Sequence, residues 1–237
     1  MTSILTLTAA VLRDPNALVD AHDNGVDLPR LAPPLLAITV IGAALFGLMV
    51  GSQRGELQLL YAAVKMPVLL LAPPLVALPA LHSLWRAAGV EVRWGRLSLA
   101  ALAAMARSAV LAAALGPVLW LLYSLNLDYH DAVLLMVASI GLAGLPGVAA
   151  LVRALPGGGD LRFLAAAGSA LALFLAFAQT GWLLRPFIAR PQAAVSFLRP
   201  VEEDVFSSLS ATRASSKGDY RGWEVRSDGV LGEEEAP

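Results

Sequence analysis

Five uncharged runs, at residues 31–53, 66–85, 108–127, 132–152 and 163–184, constrain this chain more than anything else in it. Each is bordered on both sides by a charged residue and contains none. An apolar helix needs about 20 residues to cross the hydrocarbon core of a bilayer, and all five have that length. Backbone polar groups inside hydrocarbon must be bonded within the segment, so the runs are expected as helices. The expected fold is all-α: a polytopic transmembrane helical bundle of about five spans, with interfacial helices and a short disordered C-terminal tail.

Composition agrees. The chain is 57% hydrophobic and 15% charged, against about 45–50% and 25% in soluble domains. A net charge of −1 gives no reason to expect a nucleic-acid partner. Cysteine is absent, which removes disulfides, thiolate metal sites and cysteine nucleophiles from consideration. The first apolar stretch, residues 4–12, has no charged segment ahead of it and no small-residue cleavage pattern after it. A cleavable signal peptide is therefore not expected.

Lys and Arg concentrate in the cytoplasmic loops of membrane proteins. The N-terminal segment carries Arg13 and Arg30, the second loop Arg86, Arg93, Arg96 and Arg107, and the fourth loop Arg153 and Arg162. The third loop, residues 128–131, has none. The expected topology is N-terminus inside and C-terminus outside, in a bacterial cytoplasmic (inner) membrane. Four regions follow: a cytoplasmic or interfacial segment at 1–30, five spans within 31–188, an extramembrane surface segment at 189–210 and a disordered tail at 211–237.

The first loop reads RGELQLLYAAVK. Leu57, Leu60, Tyr61 and Val64 recur at helical spacing, which suggests an amphipathic helix in the headgroup region. Lys65 is then expected to snorkel to the membrane boundary. Extending the second span through this stretch would instead bury Lys65, at a cost of about 2.5–3.5 kcal/mol on insertion scales. Residues 97–106, between Arg96 and Arg107, read as either an interfacial stretch or a cytoplasmic extension of the third span.

The second span holds Pro67, Pro73, Pro74 and Pro79. Each interior proline removes a helical hydrogen bond, so this helix is expected to be kinked and covered by neighbours. A proline-broken helix also suits a transporter, but such sites usually add polar ligands near mid-membrane, and none is evident here. The string LAPPL occurs at 31–35 and 71–75 without wider repetition. Gly47 and Gly51, then Gly141, Gly144 and Gly147, then Gly168 with Ala172, are small positions where helices can approach closely. His22, His82 and His130 lie apart and form no metal-binding pattern. His130-Asp131 resembles a dyad, but in a tight loop. No GxSxG or Walker A motif occurs. No cofactor is expected.

Three strings carry a resemblance: Val11-Leu12-Arg13-Asp14-Pro15, the segment from Gly55 to Pro67 with its LQ-x-LYAAVK-x-P pattern, and Trp182-Leu183-Leu184-Arg185-Pro186-Phe187. Together they resemble an uncharacterised family of bacterial multi-pass membrane proteins, cyanobacterial in type, over roughly residues 10–206. In topology alone the chain is also similar to the Yip family, whose DLYGP-type signature it lacks. The resemblance implies Gln58, Tyr61, Lys65, Pro67, Arg185, Pro186 and Phe187 as interaction or structural residues. Arg107, at the far edge of the second loop, joins these candidates. With the N-terminus inside, both recognisable strings fall on the outer face, so the tail is expected to dock over the first loop.

Function follows from sites, and no catalytic constellation is present. The expected role is a non-enzymatic integral membrane scaffold or accessory subunit of a larger membrane complex. The alternative is a membrane-spanning component of a transporter or channel. Expected partners are the lipid bilayer and other membrane proteins or a second copy of the chain.

Overall fold

The structure is a computed structural model, and it describes residues 4–53, 55–125, 127, 129–155, 161–188 and 197–198. The described residues are all-helical: α1 (Ile4–Arg13), α2 (Pro15–Asp23), α3 (Leu28–Gly51), α4 (Glu56–Ala87), α5 (Trp94–Tyr123), α6 (Tyr129–Ala154) and α7 (Arg162–Leu183). The last five are long and apolar enough to cross a membrane. The expected surface segment, apart from residues 197–198, the tail after 211 and the glycine turn at 156–160 lie outside the described residues.

Two expectations need correction. The first loop holds no separate amphipathic helix: α4 starts at Glu56, just after Gly55 at φ 77°, and continues to Ala87. Lys65 therefore sits inside a membrane-length helix instead of snorkelling. Arg107 lies within α5 and not at a loop edge, because residues 97–106 extend the third span, which was one of the two forms expected for them.

The five long helices form an open row in the order α7, α4, α3, α5, α6, with α4 also touching α5. The outer members α6 and α7 form no packed interface with each other. Burial follows this order. In α5, 61% of the most apolar stretch is buried, against 22% in α6 and 17% in α7.

Glycine explains how the inner helices approach. A Cβ on Gly47 would lie 2.8 Å from the Ala62 carbonyl carbon and from the Ala63 Cα, and one on Gly42 would lie 2.9 Å from the Ala109 oxygen. These obstacles are backbone and cannot rotate away, so α3 meets α4 and α5 at distances only a missing side chain permits. Four prolines interrupt the hydrogen-bond ladder of α4, and the central pair, Pro73 and Pro74, are buried where neighbouring helices cover the break.

The chain reverses at each connection. One end of the row therefore collects the start of α3, α5 and α7 and the end of α4 and α6. The short helices α1 and α2 pack at this end, chiefly on α5. Asp14 caps α2 by accepting from the Asn16 N–H at 3.1 Å. Arg96 then ties the layer together. Its guanidinium donates to the Ala154 carbonyl at the end of α6, from Nε at 2.9 Å and Nη2 at 2.6 Å, and pairs with Asp20 at 3.4 Å and with Asp23. A cation at a helix C-terminus also meets the negative end of the helix dipole.

Replacing Arg96 with Ala should destabilise the protein by about 1.5–3 kcal/mol, the weight of hydrogen bonds to a charged group. Arg96→Lys should recover only part of this, because a lysine cannot reproduce the planar fork. Denaturant unfolding in mixed micelles measures the loss. Faster trypsin cleavage at Arg13 and Arg30 would show that α1 and α2 have come loose.

Candidate functional site

Lys65 marks the site. It lies two turns inside α4 and is fully buried, a rare state for lysine without a partner. Its Nζ donates to the Pro186 carbonyl at 2.8 Å, 121 residues further along the chain. The ammonium also lies 5.1 Å from the ring centroid of Phe197 and 5.8 Å from that of Phe187. Aromatic faces attract cations, more strongly where water is excluded.

Gln58 occupies the same face of α4 two turns earlier. Its Nε2 donates to the Phe187 carbonyl and, at 3.4 Å, to the Pro186 carbonyl. Tyr61 sits between them on that side, with its ring edge-on to Phe197 at 5.2 Å and 82°. Pro186, Phe187 and Ile188 are all buried.

The local reason is backbone chemistry. At Leu183 the helix α7 ends, and the peptide bond between Arg185 and Pro186 is cis. Carbonyls beyond a helix end have no partner in the helical ladder, and burying them unbonded is costly. Side chains of α4 supply the missing donors. Lys65 and Gln58 thus replace helical hydrogen bonds with bonds to another helix, and the exit of α7 is clasped to α4.

Of the residues expected from sequence, Gln58, Lys65, Pro186 and Phe187 meet directly, and Tyr61 joins through Phe197. Arg185 is adjacent but turned elsewhere, with its guanidinium carbon 3.5 Å from the Trp182 ring centroid. Pro67 is half-buried inside α4, where its missing N–H leaves the ladder open. Arg107 lies apart in α5, and its buried Nε has no hydrogen-bond partner among the described residues.

Sequence reasoning missed Phe197 and Ile188, which carry no local signal. It also missed the second tie between α4 and α7, where Trp85 Nε1 donates to Ser169 Oγ at 3.0 Å. The dyad-like His130 lies outside the described side chains. No group of His, Asp or Glu among the described residues could hold a metal ion. Chemically the cluster is suited to fastening chain segments: an ammonium, an amide, carbonyl acceptors and two phenyl rings.

Comparison of the chain with family models, with curated proteins and with solved structures gives no match. The geometry therefore carries the functional argument by itself.

Replacing Lys65 with Met keeps the volume and leaves the buried Pro186 carbonyl only the long contact from Gln58. The expected cost is about 1–3 kcal/mol. Adding Gln58→Ala should cost more than the sum of the single effects, because only the double variant leaves the Pro186 carbonyl without either donor. Unfolding of the single and double variants in detergent measures the coupling. Full additivity would show that the two side chains act independently.

Proposed function

We propose that this integral membrane protein is a non-enzymatic scaffold or accessory subunit that binds other membrane proteins through its outer helices. The observation that carries the reading is on α6. Gly42, Gly47, Gly51, Gly116, Gly147 and Gly168 each have another helix close to the position of a Cβ, whereas Gly141 and Gly144 have nothing within 4 Å. A glycine in a helix interior is less favourable than alanine by roughly 0.8–1.0 kcal/mol. Elsewhere in the bundle close packing offsets that cost. At Gly141 and Gly144 no described residue does so, and a helix of another protein can.

The exposed residues around these glycines are apolar: Leu134, Val137, Leu142 and Leu145. Small residues flanked by leucine and valine suit helix association in a membrane, where backbones must come close to gain contact. The partner is another membrane protein or a second copy of this chain.

The four prolines of α4 are what favours a transporter component. Two of them are buried in packing between helices. Among the described residues, a partly open cleft of about 40 Å³ lined by Phe46, Ser108 and Phe177 accommodates a water or two. The scaffold reading is the better supported.

Orientation follows from charge in the same proposal. The end bearing α1 and α2 holds Arg13, Arg30, Arg86, Arg93, Arg96, Arg153 and Arg162, and the opposite end holds Lys65 and Arg185, with Arg54 in the connection between α3 and α4. The arginine-rich end faces the cytoplasm of a bacterial cell, and the clasp lies towards the outside.

Two experiments test this. Gly141→Leu should fold like the wild type and lose partners captured by gentle-detergent purification, whereas Gly47→Leu should fail to fold stably. A lone monomer from the wild-type protein would overturn the scaffold reading. Reporter fusions after residue 155 should be active only inside the cell, and fusions after residue 125 only outside. The reverse pattern would overturn the orientation.

A further inference from the structure

Arg107 is the one charged residue of α5 between Arg96 and the end of the helix. It lies near the middle of that helix, at a depth where the neighbouring helices are apolar. Gly42, at the centre of its own uncharged run, lies against Ala109 of α5, and Gly147, also inside its run, lies against Ala104 and Ser108. A guanidinium in a membrane span is costly and is normally paired. Lys65 and Arg96 show how this chain does so, each donating to a carbonyl from another part of the chain. Arg107 does not. Its Nε is buried, and its guanidinium makes no hydrogen bond or ion pair among the described residues.

The side of α5 that carries Arg107 is turned away from its neighbours in the row. Ala109 meets α3, and Ala104 and Ser108 meet α6. Met105 and Ala112 line the cleft between these contacts, and with 3.6 residues per turn Arg107 falls about half a turn from both. Its own stripe runs from Ala100 and Ala103 to Ala114 and Val118. Ala100 and Ala103 are buried in the same apolar cluster as Leu7 and Val11 of α1 and Val19 of α2. Ala114 and Val118 are exposed, Val118 at 54%. Arg107 itself is half-buried. It stands at a ledge, where the cover over this side of α5 stops and a bare apolar face begins.

We propose that this ledge receives a membrane-spanning helix of another protein, and that an aspartate or glutamate of that helix pairs with Arg107. The inference rests on the scaffold reading and gives one partner its chemistry, at a second surface apart from Gly141 and Gly144. Charge complementarity carries it. The five uncharged runs hold no Asp or Glu, so neither this chain nor a second copy has a carboxylate to offer at this depth. Lipid phosphates lie at the headgroups. Towards the arginine-rich end the stripe is closed over at Ala103 and Ala100, and the other headgroup layer lies beyond Leu121, about 20 Å further along the helix. The open approach is from the side, along Ala114 and Val118, where a helix can lie and the small Ala114 lets it come close. A carboxylate accepts two parallel N–H bonds from a guanidinium and so satisfies the donors that the fold leaves bare.

The test uses the full-length protein in phosphatidylcholine vesicles with a dansyl-labelled alanine–leucine peptide of about 20 residues, long enough to span. The peptide carries Glu at its centre, or Gln in the control, and energy transfer from the protein's tryptophans reports association. The Glu peptide should associate about tenfold more tightly than the Gln peptide, the weight of a polar pair between helices in a membrane. Arg107→Gln should abolish that preference, and Arg107→Lys should keep part of it. Because the guanidinium makes no bond among the described residues, Arg107→Gln should unfold at the wild-type temperature or above it. Equal association of the two peptides with the wild type, or a lowered unfolding temperature for Arg107→Gln, would overturn the proposal. Loss of the Glu preference on adding phosphatidylglycerol to the vesicles would also overturn it, because a lipid phosphate would then be the occupant. Gentle-detergent purification from native membranes separates this proposal from the reading beneath it. A wild-type protein that purifies alone overturns the scaffold reading itself. Partners that stay bound to both wild type and Arg107→Gln leave that reading standing and overturn the pairing at Arg107.

Discussion

Every carbonyl that enters hydrocarbon must find a donor, and this requirement shapes the whole molecule. It makes the five runs helices. It then becomes acute where a helix is broken or ends. Inside α4, four prolines each remove an N–H from the ladder, and neighbouring helices bury the central pair. At the end of α7 the ladder stops, and Lys65 and Gln58 reach across from α4 to the freed carbonyls of Pro186 and Phe187. At the end of α6 the Ala154 carbonyl is met by Arg96. Polar side chains inside the bundle are thus used mainly where backbone alone cannot close its own bonds.

Lys65 shows why burial alone does not reveal a function. A lone ammonium in an apolar setting is a costly feature, and in many membrane proteins it marks a pathway. Here the cost is offset locally by a carbonyl at 2.8 Å and two aromatic rings. Arg107 is the contrasting case. Its Nε is buried without a partner among the described residues.

The spans were legible in the sequence because hydropathy and length are properties of a continuous window. The buried state of Lys65 was not. Insertion cost argues against burying a lysine, and a window around residue 65 holds no trace of the carbonyl that makes burial tolerable. That carbonyl belongs to Pro186, 121 residues away. The strings at 55–67 and 182–187 were visible as patterns, but hydrogen bonds are what join them. Glycines were legible only as a class. Gly47 lies against the backbone of α4 and Gly141 against nothing, yet each sits in an apolar run with the same composition.

Among the described residues, α7 has one substantial helical neighbour, α4, and is tied to it near both ends. At one end Trp85 donates to Ser169, and Leu84 lies against Gly168. At the other, the clasp holds the chain just past Leu183. Helix α6 is positioned separately, by α5 through Gly147 and by Arg96 at its end. The gap between α6 and α7 is therefore set by two independent supports and not by contact across it. Its width depends on how α4 and α5 sit on α3, where the closest approaches, at Gly42 and Gly47, leave no room for adjustment. A rigid inner trio with loosely buried flanks gives a surface whose shape is fixed from behind. A gap held from behind in this way is preformed, and its surface needs no ordering by whatever lies beside it.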